Sequence, residues 1–324
     1  MTDESKGNVV VFQINGIGDQ LMAWPCVRAL NSLFPGRLIL VVSQSMPTMI
    51  YHDVPFVDKI RVGFKDNDPR EIEYQSLTDK LADTDIFINL CEWLNEPVWN
   101  LINDIRPRHT VGFQDCFHDV VSVTPSMNTF DRMFGAAQIL QEGLEISSHA
   151  QDPVFSDTAV QAAKKIKEKY ISPQEKVLFL HPETLADKQW TTKGFSKVLE
   201  LFLEQRPEYK VFVCSLRPYD VRVTSALSNR VFHISPPLEP SMALVGLSDL
   251  FLGVDSCFLH AADLYRIPAV GLFGPTDPRI WGFRFGTETR TIRSKREADV
   301  AQAREDQMTS LNVEDVYRAL IELS

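Results

Sequence analysis

An aspartate that follows two closely spaced glycines is the first candidate for chemistry in this sequence. Gly16 and Gly18 come directly after the apolar run Val9 to Ile14, and Asp19 follows them. Glycine lets the backbone turn sharply and approach a ligand closely, so a carboxylate here could take a proton from a bound substrate. The same Asp could instead cap the next helix, and spacing alone favours that role. The position three after Gly18 is Leu21, so the run is not the G-x-G-x-x-G fingerprint of a dinucleotide site.

A second candidate is the run GVDSCFLHAADL, which again combines an apolar strand, a tight turn and a helix. Asp255, Ser256 and Cys257 occupy the turn. The free backbone N–H groups of a helix start, with the Ser256 hydroxyl, can bind an anion such as a diphosphate. His260 lies four residues after Ser256, on the same helical face, and could reach a phosphate or a sugar hydroxyl. Alternatively, Asp255 or Ser256 only caps the helix and His260 is a packed, hydrogen-bonded residue.

Two further polar loops follow apolar runs in the second half of the chain. In HPETLADKQW, Lys188 is a point charge that could neutralise a departing phosphate, and Thr184 offers a hydroxyl donor. In FGPTDPRIWG, Gly274 and Pro275 set a turn that presents Thr276. A solvated lysine and an ordinary Pro-Gly loop are the alternatives. The convergence of three such loops at strand ends of one domain is the stronger indication of a ligand site.

The elements that position these loops are short apolar strands with helical stretches between them, a pattern typical of parallel sheets covered by helices. The predicted strands are Val9 to Ile14, Leu38 to Val42, Ile86 to Leu90, Val177 to Leu180, Val211 to Cys214, Leu250 to Val254 and Val270 to Phe273. A polar helical stretch, Asp157 to Tyr170, separates the two sets. We therefore predict an α/β fold with two doubly wound, Rossmann-like domains, 1–155 and 156–324, facing a cleft.

Charge and composition exclude several classes of function. Of the 324 residues, the first 155 hold 11 basic and 21 acidic residues, so the whole net charge of −10 lies in the first half. That sign repels nucleic acid and anionic lipid, and it favours a neutral or cationic partner. The five cysteines form no C-x-x-C pair, which argues against a metal site or a disulfide framework. The charged start MTDESKGN and the lack of long apolar runs predict a cytoplasmic protein without a signal peptide or membrane helix.

Taken together and in this order, the motifs resemble those of the heptosyltransferase family, glycosyltransferase family 9. The resemblance spans residues 9 to about 285 and covers four motifs. The matching positions are Gly18, Asp19 and Pro25; His181, Pro182, Lys188 and Trp190; Asp255, Ser256 and His260; and the run FGPTDP at 273–278 with Trp281.

The resemblance implies a GT-B fold, with the acceptor held by the first domain and the nucleotide-sugar by the second. It implies an inverting, metal-independent transfer with Asp19 as general base, from ADP-heptose or a related NDP-sugar, without a cofactor. Lys188, Ser256, Thr184, Thr276 and His260 correspond to groups around the donor diphosphate. The last helix, Val313 to Leu323, is expected to cross back to the first domain.

Two departures from the family pattern keep other functions open. Cys257 stands where the family has glycine after Asp-Ser, and Glu183 stands where glycine follows His-Pro. Either could reshape the donor pocket or remove activity, so one alternative is a catalytically silent nucleotide-sugar-binding or scaffold protein. Another is a sugar-nucleotide epimerase on the same fold. The acidic first half also fits poorly with the phosphorylated lipopolysaccharide acceptor of the best-known members.

Overall fold

Two compact units, Met1–Gln151 and Asp152–Ser324, make up the chain. The computed structural model describes residues 7–46, 51–63, 74–217, 219–294 and 308–324. Residues 1–6, on which the expectation of no signal peptide partly rests, lie outside the described residues. None of the described helices combines the length and the apolarity needed to span a membrane.

The first unit contains a six-stranded sheet with the spatial order β3-β2-β1-β4-β5-β6, in which every neighbouring pair is parallel. Its strands are β1 Asn8–Phe12, β2 Leu38–Ser43, β3 Asp58–Val62, β4 Thr84–Asn89, β5 His109–Gly112 and β6 Asp119–Val120. Its helices are α1 Ile17–Leu33, α2 Gln75–Thr78, α3 Glu96–Ile105 and α4 Thr129–Leu140. The strand order reverses between β1 and β4, and loops after strands that flank such a switch point form ligand sites in doubly wound sheets.

The second unit repeats the same arrangement, with the order β12-β11-β10-β7-β8-β9 and all pairs parallel. Its strands are β7 Lys176–His181, β8 Tyr209–Cys214, β9 Val231–Ile234, β10 Leu250–Val254, β11 Ala269–Phe273 and β12 Thr289–Arg293. Its helices are α5 Asp157–Tyr170, α6 Thr192–Gln205, α7 Leu238–Val245, α8 Cys257–Leu264, α9 Pro278–Trp281 and α10 Val313–Leu323. Its switch point lies between β7 and β10, the strands that precede two of the candidate loops.

The central strands of both sheets are fully buried, as their unbroken apolar sequences predict. Side-chain caps begin several helices: Ser156 accepts a bond from the Ala159 amide at 3.2 Å, and Thr191 accepts one from the Gly194 amide at 3.0 Å. Each predicted strand is confirmed, with bounds that differ by one or two residues.

The last helix, α10, packs on the core of the second unit. The apolar residues of α10 pack against α6 and the β11–β12 edge of the second sheet. Val316, Ala319 and Leu320 are buried in the same core as Phe202 of α6. The amphipathic stripe therefore packs within its own unit, and the expectation that this helix crosses back to the first domain stays a prediction.

Candidate functional site

An ion pair joins the two loops at the switch point of the second unit. Lys188 ends a short 3₁₀ turn, Ala186–Lys188, and its Nζ lies 2.8 Å from Oδ2 of Asp255, directly after β10. The Lys188 side chain is 23% exposed and that of Asp255 is 5% exposed. The lysine is thus held in place, and the alternative of a solvated surface lysine does not apply. An ammonium group has three donors, so its bond to Asp255 leaves it able to bind a phosphate.

Thr184 reinforces the same junction. Its hydroxyl donates to the backbone carbonyl of Asp255 at 2.9 Å, and the Gln189 side chain donates to the Thr184 carbonyl at 2.7 Å. The structure therefore brings Thr184, Lys188 and Asp255 together, as the sequence analysis predicts for the first two. In this arrangement Thr184 positions the loop, because its proton is already engaged.

Two hydroxyl groups beside this junction are buried without a hydrogen-bond partner. Ser256 is the N-cap residue of α8, yet its side chain makes no capping bond, which argues against a purely capping role. Its Oγ and the Oγ1 of Thr276, which follows β11, have no partner in the described part of the chain. Buried polar atoms in native proteins are normally satisfied, so these two hydroxyls, one at the N-terminus of α8 and one after the neighbouring strand β11, indicate a site for an anion.

Cys257 is the first residue of α8 and lies at the same N-terminus. Burial raises the pKa of its thiol to about 12, although the backbone amides of Cys257 and Phe258 have the opposite effect. The thiol is therefore neutral, and it lies beside the amides that would otherwise face an anion. The side chain at this position, where the family has glycine, therefore lies next to the amides of Cys257 and Phe258.

His260 is buried and neutral rather than a ready proton donor. Burial lowers its pKa to about 4, with opposing smaller effects from Asp255 and Lys188. It lies near the ion pair, as its position on the face of Ser256 predicts. His181, which sequence reasoning assigned only as a motif residue, is also buried with a pKa of about 4. Its Nδ1 lies 2.8 Å from the carbonyl oxygen of Cys214, which links β7 to β8.

The remaining residues of these loops have structural roles. A Cβ atom on Gly274 would lie 2.5 Å from the sulfur of Met308, so a larger residue before the Pro275 turn would force the Met308 side chain to shift. The Glu183 carboxylate accepts a bond from the Leu216 amide at 2.6 Å. Glu183 therefore orders the loop after β8, and it is not a loose negative charge beside the phosphates.

In the first unit, Asp19 lies in the first turn of α1, whose N-cap residue is Gly16. The capping alternative for Asp19 is thus wrong: Asp19 is the third helical residue, after Gly18, where the helix dipole still favours its negative charge. A Cβ atom built on Gly16 would lie 3.9 Å from Oδ2 of Asp19 and would meet no other atom within 4 Å among the described residues. The space above this turn is open.

Sequence reasoning missed a cluster that faces the same turn. After β4, the indole N–H of Trp93 donates to Oδ1 of Asn15 at 2.8 Å, and Nδ2 of Asn89 donates to the Trp93 carbonyl at 3.2 Å. Next to Trp93, Glu92 pairs with Arg132 of α4 at 2.7 Å. The signal in the sequence was the polar and aromatic run that follows the predicted strand Ile86 to Leu90, because such a run marks the end of a buried strand.

In the part of the chain that the structure describes, no three His, Cys, Asp or Glu side chains are grouped so that they could hold a metal ion. The cationic elements near the candidate anion site are Lys188 and the N-terminus of α8.

Comparisons with known proteins agree with this geometry. A family model described as glycosyltransferase family 9 (heptosyltransferase) matches residues 122–312, more than half of the chain. A family 9 glycosyltransferase from Veillonella parvula DSM 2008 matches with a TM-score of 0.75 and 17% identity, over 98% of this chain and 97% of that one. No curated protein sequence matched the chain.

Two E. coli structures are also similar to this chain. Heptosyltransferase WaaC with ADP matches with a TM-score of 0.69 and 14% identity, over 98% of this chain and 100% of that one. ADP-heptose lps heptosyltransferase II matches with a TM-score of 0.68 and 13% identity, over 98% of each chain. These likenesses confirm the predicted fold class, the two-domain α/β fold of GT-B glycosyltransferases.

The fold and the loops at its switch points define a glycosyltransferase. The chain belongs to glycosyltransferase family 9, the heptosyltransferase family.

Proposed function

We propose that the protein transfers a sugar, heptose from ADP-heptose or a related NDP-sugar, to a hydroxyl group of an acceptor with inversion at the anomeric carbon. The observation that carries this proposal is the arrangement around the N-terminus of α8. There the Lys188–Asp255 pair lies beside two buried hydroxyls, Ser256 and Thr276, that lack partners among the described residues. Such a group of donors suits a diphosphate.

The departing nucleoside diphosphate gains negative charge as its bond to the anomeric carbon breaks. Lys188 and the amide end of α8 would stabilise that charge without a metal ion, and the hydroxyls of Ser256 and Thr276 would donate to phosphate oxygens. His260, which is neutral, could add a further hydrogen bond to a phosphate or a sugar hydroxyl. The reaction needs no cofactor beyond the two substrates.

Asp19 is the general base in this proposal. The acceptor oxygen forms a bond to the anomeric carbon, its proton passes to the Asp19 carboxylate, and the electron pair of the broken bond leaves on the diphosphate. The position of Asp19 in the first turn of α1 supports this role, because a helix N-terminus favours a negative charge beside it. The open space over Gly16 gives a hydroxyl room to approach Oδ2.

The nucleoside would contact the loop after β8. Leu216, 74% exposed, and Leu185, 69% exposed, provide apolar surface near the Glu183–Leu216 bond that orders this loop. For the acceptor, the charge of −10 on the first half favours a neutral or cationic molecule. All five cysteines are free thiols, which agrees with a reducing cytoplasm as the site of the reaction.

A nucleotide panel tests the proposal. We expect ADP to raise the melting temperature more than UDP, GDP or CDP, since a ligand at 100 times its dissociation constant stabilises a protein by about 2.7 kcal/mol. Incubation with ADP-heptose should then release ADP only when an acceptor is added. A stronger shift with another nucleotide would change the donor class, and conversion of the donor without acceptor would contradict transfer.

A further inference from the structure

We infer that Trp93, with the Glu92–Arg132 pair beside it, is a platform that holds a neutral saccharide ring as the acceptor. This inference rests on the proposed function, because it names the acceptor class of that same site. It is carried by three features of the first unit: a fixed indole ring, open space beside Asp19, and a charge-neutral polar border.

The indole ring of Trp93 is held in one place. Its N–H donates to Oδ1 of Asn15, and the backbone N–H of Asn15 donates to Oε1 of Gln13 at 3.2 Å. The ring is half-buried, with one part packed on the apolar core of the first unit. A rigid, partly exposed aromatic ring offers contact area with little loss of conformational entropy on binding.

Trp93 and Asp19 flank the same turn. Asn15, which anchors the indole, directly precedes Gly16, and a Cβ atom built on Gly16 would lie 3.9 Å from Oδ2 of Asp19. A second observation also indicates that the chain after β4, which carries Trp93, lies near Asp19. Burial raises the pKa of the Cys91 thiol to about 12, and the negative charge of Asp19 contributes to this rise. A ring stacked on Trp93 would therefore present hydroxyls towards the base.

Polar groups border the platform and carry no net charge together. Arg132 donates to Oε2 of Glu92 at 2.7 Å and to the Met127 carbonyl at 2.9 Å, so its positive charge is balanced. Nε2 of Gln114 donates to the Glu92 carbonyl at 3.0 Å, and Oε1 of Gln114 is buried without a partner in the described part of the chain. This oxygen can accept a hydrogen bond from a ligand hydroxyl.

A saccharide ring matches these features. One face of a pyranose carries C–H groups that pack on an aromatic ring, and its edge carries hydroxyls that need both donors and acceptors. A phosphorylated ring would meet the net negative charge of the first half, and the positive charge of Arg132 is already balanced by Glu92. A neutral ring is therefore the ligand that the border favours.

The experiment measures saccharide binding by saturation-transfer difference NMR on the whole protein, with maltose and methyl α-D-mannoside as neutral probes and glucose 6-phosphate as the anionic probe. We expect the two neutral probes to bind and glucose 6-phosphate to bind more weakly than either. Trp93→Leu should weaken neutral binding by about tenfold or more, whereas Trp93→Phe, which keeps an aromatic face, should retain most of it. Trp99→Leu is the matched control, because Trp99 is equally half-buried on the same core but lines a separate cavity with Arg106 and His118.

Several outcomes would overturn the inference: no binding of either neutral probe, equal loss in Trp93→Phe and Trp93→Leu, or tighter binding of glucose 6-phosphate. An ADP titration of each variant separates this result from the proposed function. Unchanged ADP affinity in Trp93→Leu, with lost saccharide binding, assigns the effect to the acceptor. If the wild-type protein binds maltose through Trp93 but binds no nucleotide, the donor proposal fails and the saccharide platform stands.

Discussion

Replacement of Lys188 by alanine should have two separable effects, on stability and on donor binding. The variant leaves Asp255 uncompensated, with only 5% of its side chain exposed and its former partner 2.8 Å away. Removal of one member of a fully buried pair costs about 3–5 kcal/mol. Because the Lys188 side chain is 23% exposed and water can enter its place, we expect the free energy of unfolding to fall by about 2–3 kcal/mol.

The effect on donor binding has a different origin. Loss of one charge-stabilising donor at a developing anion costs about 2–4 kcal/mol. At about 1.4 kcal/mol for each factor of ten, ADP affinity or the transfer rate should fall by about 30- to 700-fold. The remaining Asp255 carboxylate would add repulsion of the diphosphate, so we expect the larger part of this range.

Urea unfolding and calorimetric titration with ADP measure the two effects. The control is the double variant Lys188→Ala/Asp255→Asn, which removes the unpaired charge. It should regain stability to within about 1 kcal/mol of the wild-type protein and should still bind ADP weakly. Wild-type ADP affinity in either variant would remove Lys188 from the donor site, and wild-type stability in Lys188→Ala would contradict the described ion pair.

Three further predictions concern Cys257 beside the α8 amides, the two buried histidines, and Gly16 next to Asp19. Cys257→Gly should tighten ADP binding by about tenfold, because the thiol no longer crowds the α8 amides, and it should lower the free energy of unfolding by about 1 kcal/mol. Titration with ADP measures the affinity, and weaker ADP binding would contradict the prediction. Burial lowers the pKa of both His181 and His260 from 6.5 to about 4, so the unfolded chain takes up protons in this range that the folded protein does not. The free energy of unfolding should therefore fall, as the pH decreases from 6.5 to 4, by about 1 kcal/mol per unit for each histidine; urea unfolding across this range in His181→Asn and His260→Asn should give smaller slopes, and unchanged slopes would refute the assignment. Gly16→Ala should fold normally, because the φ angle of Gly16 is −64°. Its methyl group enters the space beside Asp19, so the variant should slow transfer by about tenfold while its ADP affinity stays unchanged. An unchanged transfer rate would place the acceptor elsewhere.

The elements that the sequence predicts are those whose burial is complete. Strands such as β2 and β10 are buried at every position, and their unbroken apolar runs identify them. The edge strands β3 and β12 were missed because they are partly exposed, so charged residues such as Arg61 and Arg290 interrupt the apolar pattern. Strands of this kind are specified by pairing with a neighbour more than by their own composition.

The sequence predicts individual residues of the candidate site but not which of them contact each other. Motifs after buried strands located Asp19, Lys188 and Ser256, because parallel strands bring their carboxyl ends to one edge. The bond between Lys188 and Asp255 joins residues 67 positions apart, and that between Asn15 and Trp93 joins residues 78 positions apart. Neither leaves a local pattern, so only the folded chain reveals that the lysine is paired and that an indole borders the turn before Asp19.

The most direct test is the transfer rate of Asp19→Asn with saturating ADP-heptose and an acceptor that supports turnover of the wild-type protein. An amide cannot accept the acceptor's proton, so we predict a fall in kcat of about 10²- to 10⁴-fold, while ADP binds with unchanged affinity because Asp19 lies in the first unit. Full turnover by Asp19→Asn would contradict the central claim that this carboxylate is the general base of the transferase.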